Sequence, residues 1–179
     1  MHTESFIQQI HSCTALLKSR KNTYAWICNN PEHIPDLFDL GLNNEHKDQH
    51  KAAWILELLL VDNLTLIQPQ LAQFCKQFSG IKNESAKRSL GKIAWLLTAS
   101  KTMVLNTQQK EILIETALSW LIDNTKVAAK CHAIGIILNL SPDFPDLATL
   151  AEESIEQQYA SSSPAFQNRA RKFKNRFRK

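Results

Sequence analysis

Glycine and proline are scarce, four and six in 179 residues, and runs alternating valine or threonine with polar residues are missing. The first scarcity argues against long disordered stretches and the second against a sheet, so an all-α class is expected. No two cysteines lie close: Cys13, Cys28, Cys75 and Cys131 are scattered, each among apolar neighbours. That is the pattern of small buried thiols in a reducing cytoplasm, not of a disulfide framework or a metal site. The opening MHTESFIQQIHSC has neither a basic start nor an apolar segment, and the longest apolar run, Ala52 to Val61, is interrupted by Glu57. Neither a signal peptide nor a membrane span is expected. Phosphate loops, glycine-rich turns, nucleophile elbows and paired carboxylates are also missing, so the sequence supports no catalysis and implies no cofactor.

What is present is a repeat. Val127, Cys131, Ile134 and Leu138 follow at steps of four, three and four, one face of a helix. The same spacing recurs at Ala86, Leu90, Ile93 and Leu97, at Gln49, Ala53, Leu56 and Leu60 with one polar exception, and in largely aromatic form at Phe166, Ala170, Phe173 and Phe177. Copies about 40 residues apart predict stacked helical hairpins, an α-solenoid of about five antiparallel pairs in one domain, 1–179.

In chain order, Thr3 is a cap for a helix over 4–18, and a second short helix covers 22–29. Pro35-Asp36 starts a third that Gly41 closes, and its partner runs over 45–61. Pro69 opens a helix over Leu71, Phe74, Cys75 and Phe78, paired with one over 83–98. Residues 108–122 form the next, with Ile112, Leu118, Leu121 and Ile122 inward, and Asp123-Asn124 turns into the helix of the opening stripe. Ser141-Pro142 is read as cap and first turn of a helix with Asp146, Glu152, Glu153 and Glu156 on its polar side. Ser161 to Pro164 turns into a basic closing helix over 164–179.

The pattern over the whole chain resembles HEAT- or armadillo-type helical repeats. More narrowly, AAWILELLL (52–60), ILIETALSWLIDNTKVAAKCHA (112–133) and SSSPAFQNRARKF (161–173) resemble a family of small bacterial helical-repeat proteins without an assigned function. Some members carry the label adenylosuccinate lyase, which implies a loop of the form S-S-x-M-P-x-K-x-N flanked by glycines. Here Ser161-Ser162-Ser163-Pro164 is followed by Ala165-Phe166-Gln167, so the motif that would carry lyase chemistry is missing.

Two patterns point to binding. Lys47, Lys51, Trp54 and Leu58 on one second helix of a hairpin, and Arg88, Lys92 and Trp95 on the next, mix cations with tryptophan. In a solenoid such helices line the concave side, so Lys51, Trp54, Glu57, Arg88, Lys92 and Trp95 are expected to form a strip for a partner, or to pair among themselves. Glu57, isolated in an apolar run, needs Arg88 or Lys92 beside it. The net charge of +4 is unevenly spread. Of 21 lysines and arginines seven, at 169, 171, 172, 174, 176, 178 and 179, lie on the closing helix without an acid, leaving 14 against 17 acids elsewhere. Arg169, Arg171, Lys172, Lys174, Arg176 and Arg178 are thus a second candidate patch, either a solvated cap or a surface for nucleic acid or an acidic protein. His46 and His50, four apart, lack a third ligand and are expected to face solvent, and His132 to pack. The expected role is macromolecular binding without catalysis, metal or membrane, with a protein partner first and nucleic acid as the alternative.

Overall fold

The structure is a computed structural model and describes residues 2–177. Among them are ten α-helices and no strand: α1 (Glu4–Ser12), α2 (Leu17–Asn29), α3 (Ile34–Leu42), α4 (Gln49–Asp62), α5 (Leu71–Phe78), α6 (Glu84–Ala99), α7 (Thr107–Ile122), α8 (Val127–Leu140), α9 (Pro145–Tyr159) and α10 (Pro164–Phe177). Short 3₁₀ turns at Pro31–His33 and Leu64–Gln70 lead into α3 and α5. None of the helices is long and apolar enough to cross a membrane.

Local chemistry sets many of the boundaries. Thr3 Oγ1 accepts the Phe6 N–H at 3.3 Å, Asn83 Oδ1 those of Ser85 and Ala86 at 2.9 and 3.1 Å, and Asn106 and Gln109 cap α7 reciprocally. Several boundaries differ from the sequence reading: α4 starts at Gln49 and not at 45, so Lys47 precedes it, and Pro69 lies inside the 3₁₀ segment before α5 instead of opening that helix. The expected helix over 4–18 stops at Ser12, where Cys13 turns extended and donates its N–H to the Ile10 carbonyl; α2 then starts at Leu17. Ser141 does not cap α9. Its hydroxyl donates back to the Leu138 carbonyl at 2.9 Å, and the Pro-first start falls at Pro145. Gly41 lies inside α3 instead of closing it, and a Cβ there would sit 2.6 Å from Leu56 Cδ1. The missing side chain lets α4 approach α3 closely.

Contacts cluster into two compact units, Met1–Ile93 and Ala94–Lys179, and the boundary falls inside α6. In the first, α3 lies along α4 and touches α5, α2 lies on α4, and Phe6, Ile10, Ile27, Phe38, Leu56 and Phe74 are buried. In the second, α7 lies along α8 and α9 while α8 lies along α10, over Leu113, Ile114, Leu121, Ile136, Phe166 and Phe173. The repeat stripes are mostly inside: Leu56, Leu60, Leu90, Ile93, Leu97 and Ile134 are buried, Leu138 is half-buried, and the side chain of Phe177 lies outside what is described. Val127, the first residue of α8, is 40% exposed, too close to the helix end for a neighbour to cover. Helix α7 is rotated from the expected face. Leu113, Ile114, Ala117, Trp120 and Leu121 are buried, whereas Ile122 is 59% exposed and Ile112 and Leu118 are half-covered. All four cysteines are free, and Cys28, expected inside, is exposed.

Histidine–aspartate pairs tie α1 and the His2 ahead of it to the rest of the first unit, and a third pair lies locally at the start of α3. His2 and His33 each donate from Nδ1 to Asp36 at 2.9 Å, and His11 donates to Asp48 at 2.8 Å, where Lys51 also pairs at 3.1 Å. Burial raises both carboxyls, but the hydrogen bonds and charges of these partners outweigh it and hold both below the ordinary aspartate value. A lowered folded-state pKa adds stability that is fully present above the unfolded value, about pH 4, and is lost as pH falls below it through the folded values. An Asp36→Asn/Asp48→Asn variant is therefore expected to unfold at a lower temperature than wild type at pH 7, and the gap is expected to shrink as pH falls below about 4. Parallel curves across that range would show that the pairs contribute nothing.

Candidate functional site

Five of the first group of candidate residues, Lys51, Trp54, Glu57, Arg88 and Lys92, lie half-buried in the first unit. Glu57 accepts from Arg88 at 2.8 Å, the partner expected from sequence, and also from the Ser89 hydroxyl at 2.6 Å. Lys51 is bound to Asp48 and to the His11 carbonyl, and Trp54 Nε1 donates to Ser85 Oγ at 2.8 Å. Arg20 lies 5.9 Å from the Trp54 ring centroid, and His50, expected to face solvent, is half-buried edge-on against the same indole at 5.1 Å. His46 accepts the Asp48 N–H, and Lys92 is half-buried. Among the described residues no group of three or more His, Cys, Asp or Glu side chains is placed to hold a metal ion.

The Glu57 pair invites a direct measurement. Arg88→Ala is expected to cost roughly 1 to 3 kcal/mol, less than a fully buried pair because Arg88 is 36% exposed and solvent screens it. Replacing both Glu57 and Arg88 by Leu should recover most of that loss, since no lone carboxylate is then left in an apolar wall. Chemical denaturation of the single and double variants checks both; a double variant as weak as Arg88→Ala would contradict the account.

Trp95 has a different environment, in the second unit. The Arg169 guanidinium lies 4.1 Å from its ring centroid, and His132 stacks at 6.0 Å and 28°. Gly135 gives the indole its place: a Cβ there would be 2.6 Å from Trp95 Cδ1 and Nε1. Asn139 Nδ2 donates to Thr98 Oγ1 at 3.2 Å and reaches the Trp95 carbonyl at 3.5 Å, tying α8 to the last turn of α6. Burial raises the Cys131 thiol, and the charge of Arg169 nearby acts the other way.

A groove of about 520 Å³ opens beside this cluster. Trp95, Ala99, Ile134, Gly135, Leu138 and Asn139 line it from α6 and α8, and Arg169, Lys172, Asn175 and Arg176 from α10. The fold explains the array. Phe166, Ala170 and Phe173 bury one stripe of α10, and Arg169, Lys172 and Arg176, at steps of three and four, come out about a quarter turn round the helix. The groove thus has an apolar floor and a cationic rim, and no carboxylate lines it. Its size is that of a site for one small ligand or a few side chains.

The two groups of candidates therefore share a member each at this place, Trp95 from one and Arg169 from the other, with Lys172 and Arg176 exposed beside them. Arg171 is exposed outside the groove, Lys174 pairs with Glu156 at 3.0 Å and lies 5.6 Å from the Tyr159 centroid, and Arg178 lies outside the described residues. Sequence reasoning missed Gly135 and Asn139. A glycine alone in a helical run was the available signal for the first; a polar residue near a helix end gave none for the second. No family model matches the chain, and neither the curated proteins nor the solved structures include a match.

Proposed function

We propose that the chain is a non-catalytic binding module, a HEAT- or armadillo-like α-solenoid of five hairpins, that engages another macromolecule through its second helices. The hairpin reading draws support inside each unit separately: first helices touch first helices (α3 with α5, α7 with α9) and second touch second (α2 with α4, α8 with α10). The observation that carries the binding reading is the groove itself. It is open, apolar below and cationic at the rim, and its lining comes wholly from second helices. A protein is the partner we favour, met in a reducing cytoplasm where four free thiols persist. Exposed Arg171, Lys172 and Arg176 favour nucleic acid as the second reading.

Affinity capture from the native host with wild-type protein and with an Arg169→Ala/Lys172→Gln/Arg176→Gln variant tests the proposal. A partner retained by the first and lost by the second, with unchanged circular dichroism, is the expected result. A captured set indifferent to these substitutions would refute a role for the groove. Binding to oligonucleotide at about 50 mM salt that collapses as salt is raised would favour the nucleic-acid reading.

A further inference from the structure

Resting on the binding reading above, we infer that the groove beside Trp95 receives an amphipathic, acidic helix of a partner protein, its apolar side chains on Ile134, Leu138 and Ala99 and its carboxylates against Arg169, Lys172 and Arg176. Shape is the first argument. Helices α8 and α10 lie against each other, and the trough beside them is bounded by a row of side chains on each: Ile134 and Leu138 four apart on α8, and Arg169, Lys172 and Arg176 on α10. The α10 row extends about 10 Å, two turns, which is the length over which a short helix meets a groove. A helix entering there would set an apolar stripe on the floor and keep its flanks for the rim.

Charge is the second argument. Among the described residues no carboxylate forms an ion pair with Arg169, Lys172 or Arg176, so three cations border an apolar surface without internal compensation. Arg169 is held by its stack on Trp95, and a guanidinium stacked by its face keeps its in-plane N–H groups for a bidentate carboxylate.

The same geometry disfavours a nucleic-acid strand. Stacking of bases needs a free aromatic face, but Trp95 already carries Arg169, with His132 and the Gly135 backbone also against it. The remaining floor is aliphatic. Lys174, which would extend a phosphate track, is paired with Glu156 of α9, and the exposed Glu153 adds negative charge on the same helix. A long polyanion would meet that charge, whereas a short acidic helix matches the three cations alone.

A displayed library of random peptides about 16 residues long, four to five helical turns, is selected on the full-length protein, and selected peptides are measured by fluorescence anisotropy. Enriched sequences are expected to carry apolar residues at i, i+3 or i+4, and i+7 with Asp or Glu beside them. Their affinity should fall about tenfold or more against Lys172→Glu/Arg176→Glu, and again when the peptide acids become amides. The charge-reversed variant alters only exposed side chains, and circular dichroism verifies its fold. Enriched peptides without acidic bias, or peptides bound equally by both proteins, would overturn the inference. An oligothymidine of about 20 nucleotides, spanning more than one groove length, separates the two levels. If it binds and loses affinity with the variant while no acidic peptide does, the partner chemistry is wrong and the groove as a macromolecular site stands. If neither ligand depends on the groove, both readings fall.

Discussion

Replacing Phe173 by alanine is expected to destabilise the protein by roughly 3 to 5 kcal/mol, the cost of emptying a fully buried aromatic position. Phe173 belongs to the stripe that fixes α10 over its neighbours α8 and α9, and the cationic row stands on the same helix. Stability and binding should therefore fall together in this variant, whereas Lys172→Gln/Arg176→Gln should change binding and leave stability within about 0.5 kcal/mol, as for ordinary surface substitutions. Urea denaturation gives both values. A Phe173→Ala cost under about 1 kcal/mol would mean that α10 is not anchored through this ring.

Leu97→Ala carries the next largest expectation, roughly 2 to 5 kcal/mol, because the side chain is 1% exposed and its removal leaves a cavity that packed helices close only in part. Leu97→Met, which conserves volume, should cost less than about 1.5 kcal/mol. Comparable losses for the two would point to something other than a cavity. The position also tests the repeat itself, since spacing alone places Leu97 inside, one step of four beyond Ile93.

That spacing selects buried positions on α4, α6 and α8. Leu56, Leu60, Leu90, Ile93, Leu97 and Ile134 are buried as their periodicity required. The inward face expected of α7 does not come from that repeat: ILIETALSWLI has apolar residues around much of the helix and selects no face by itself, and the packed neighbours α8 and α9 select it. The break after Ser12 had no proline or glycine to announce it, and tertiary docking of Phe6 and Ile10 overrides a good local helix signal there. Proline at a helix start is the right kind of signal for α9, but two such prolines lie three residues apart, and Pro145, not Pro142, opens the helix.

The candidate site was legible in its ingredients but not in its assembly. Glu57 with Arg88 followed from the cost of a lone carboxylate, which is a local argument. The stack of Arg169 on Trp95 joins residues 74 positions apart, and no periodicity encodes such a meeting. Gly135 hinted at a close approach without saying what approaches.

The indole of Trp95 also makes the groove optically addressable. A guanidinium on its face and an imidazole near it impose a strong local field on the excited state, and a ligand that draws Arg169 outward changes that field. Occupancy of the groove should then be readable as a shift in intrinsic tryptophan emission, without any attached dye. Substituting Phe for Trp54, which sits in the other unit, would leave a chain in which that emission reports more narrowly on the rim of α10.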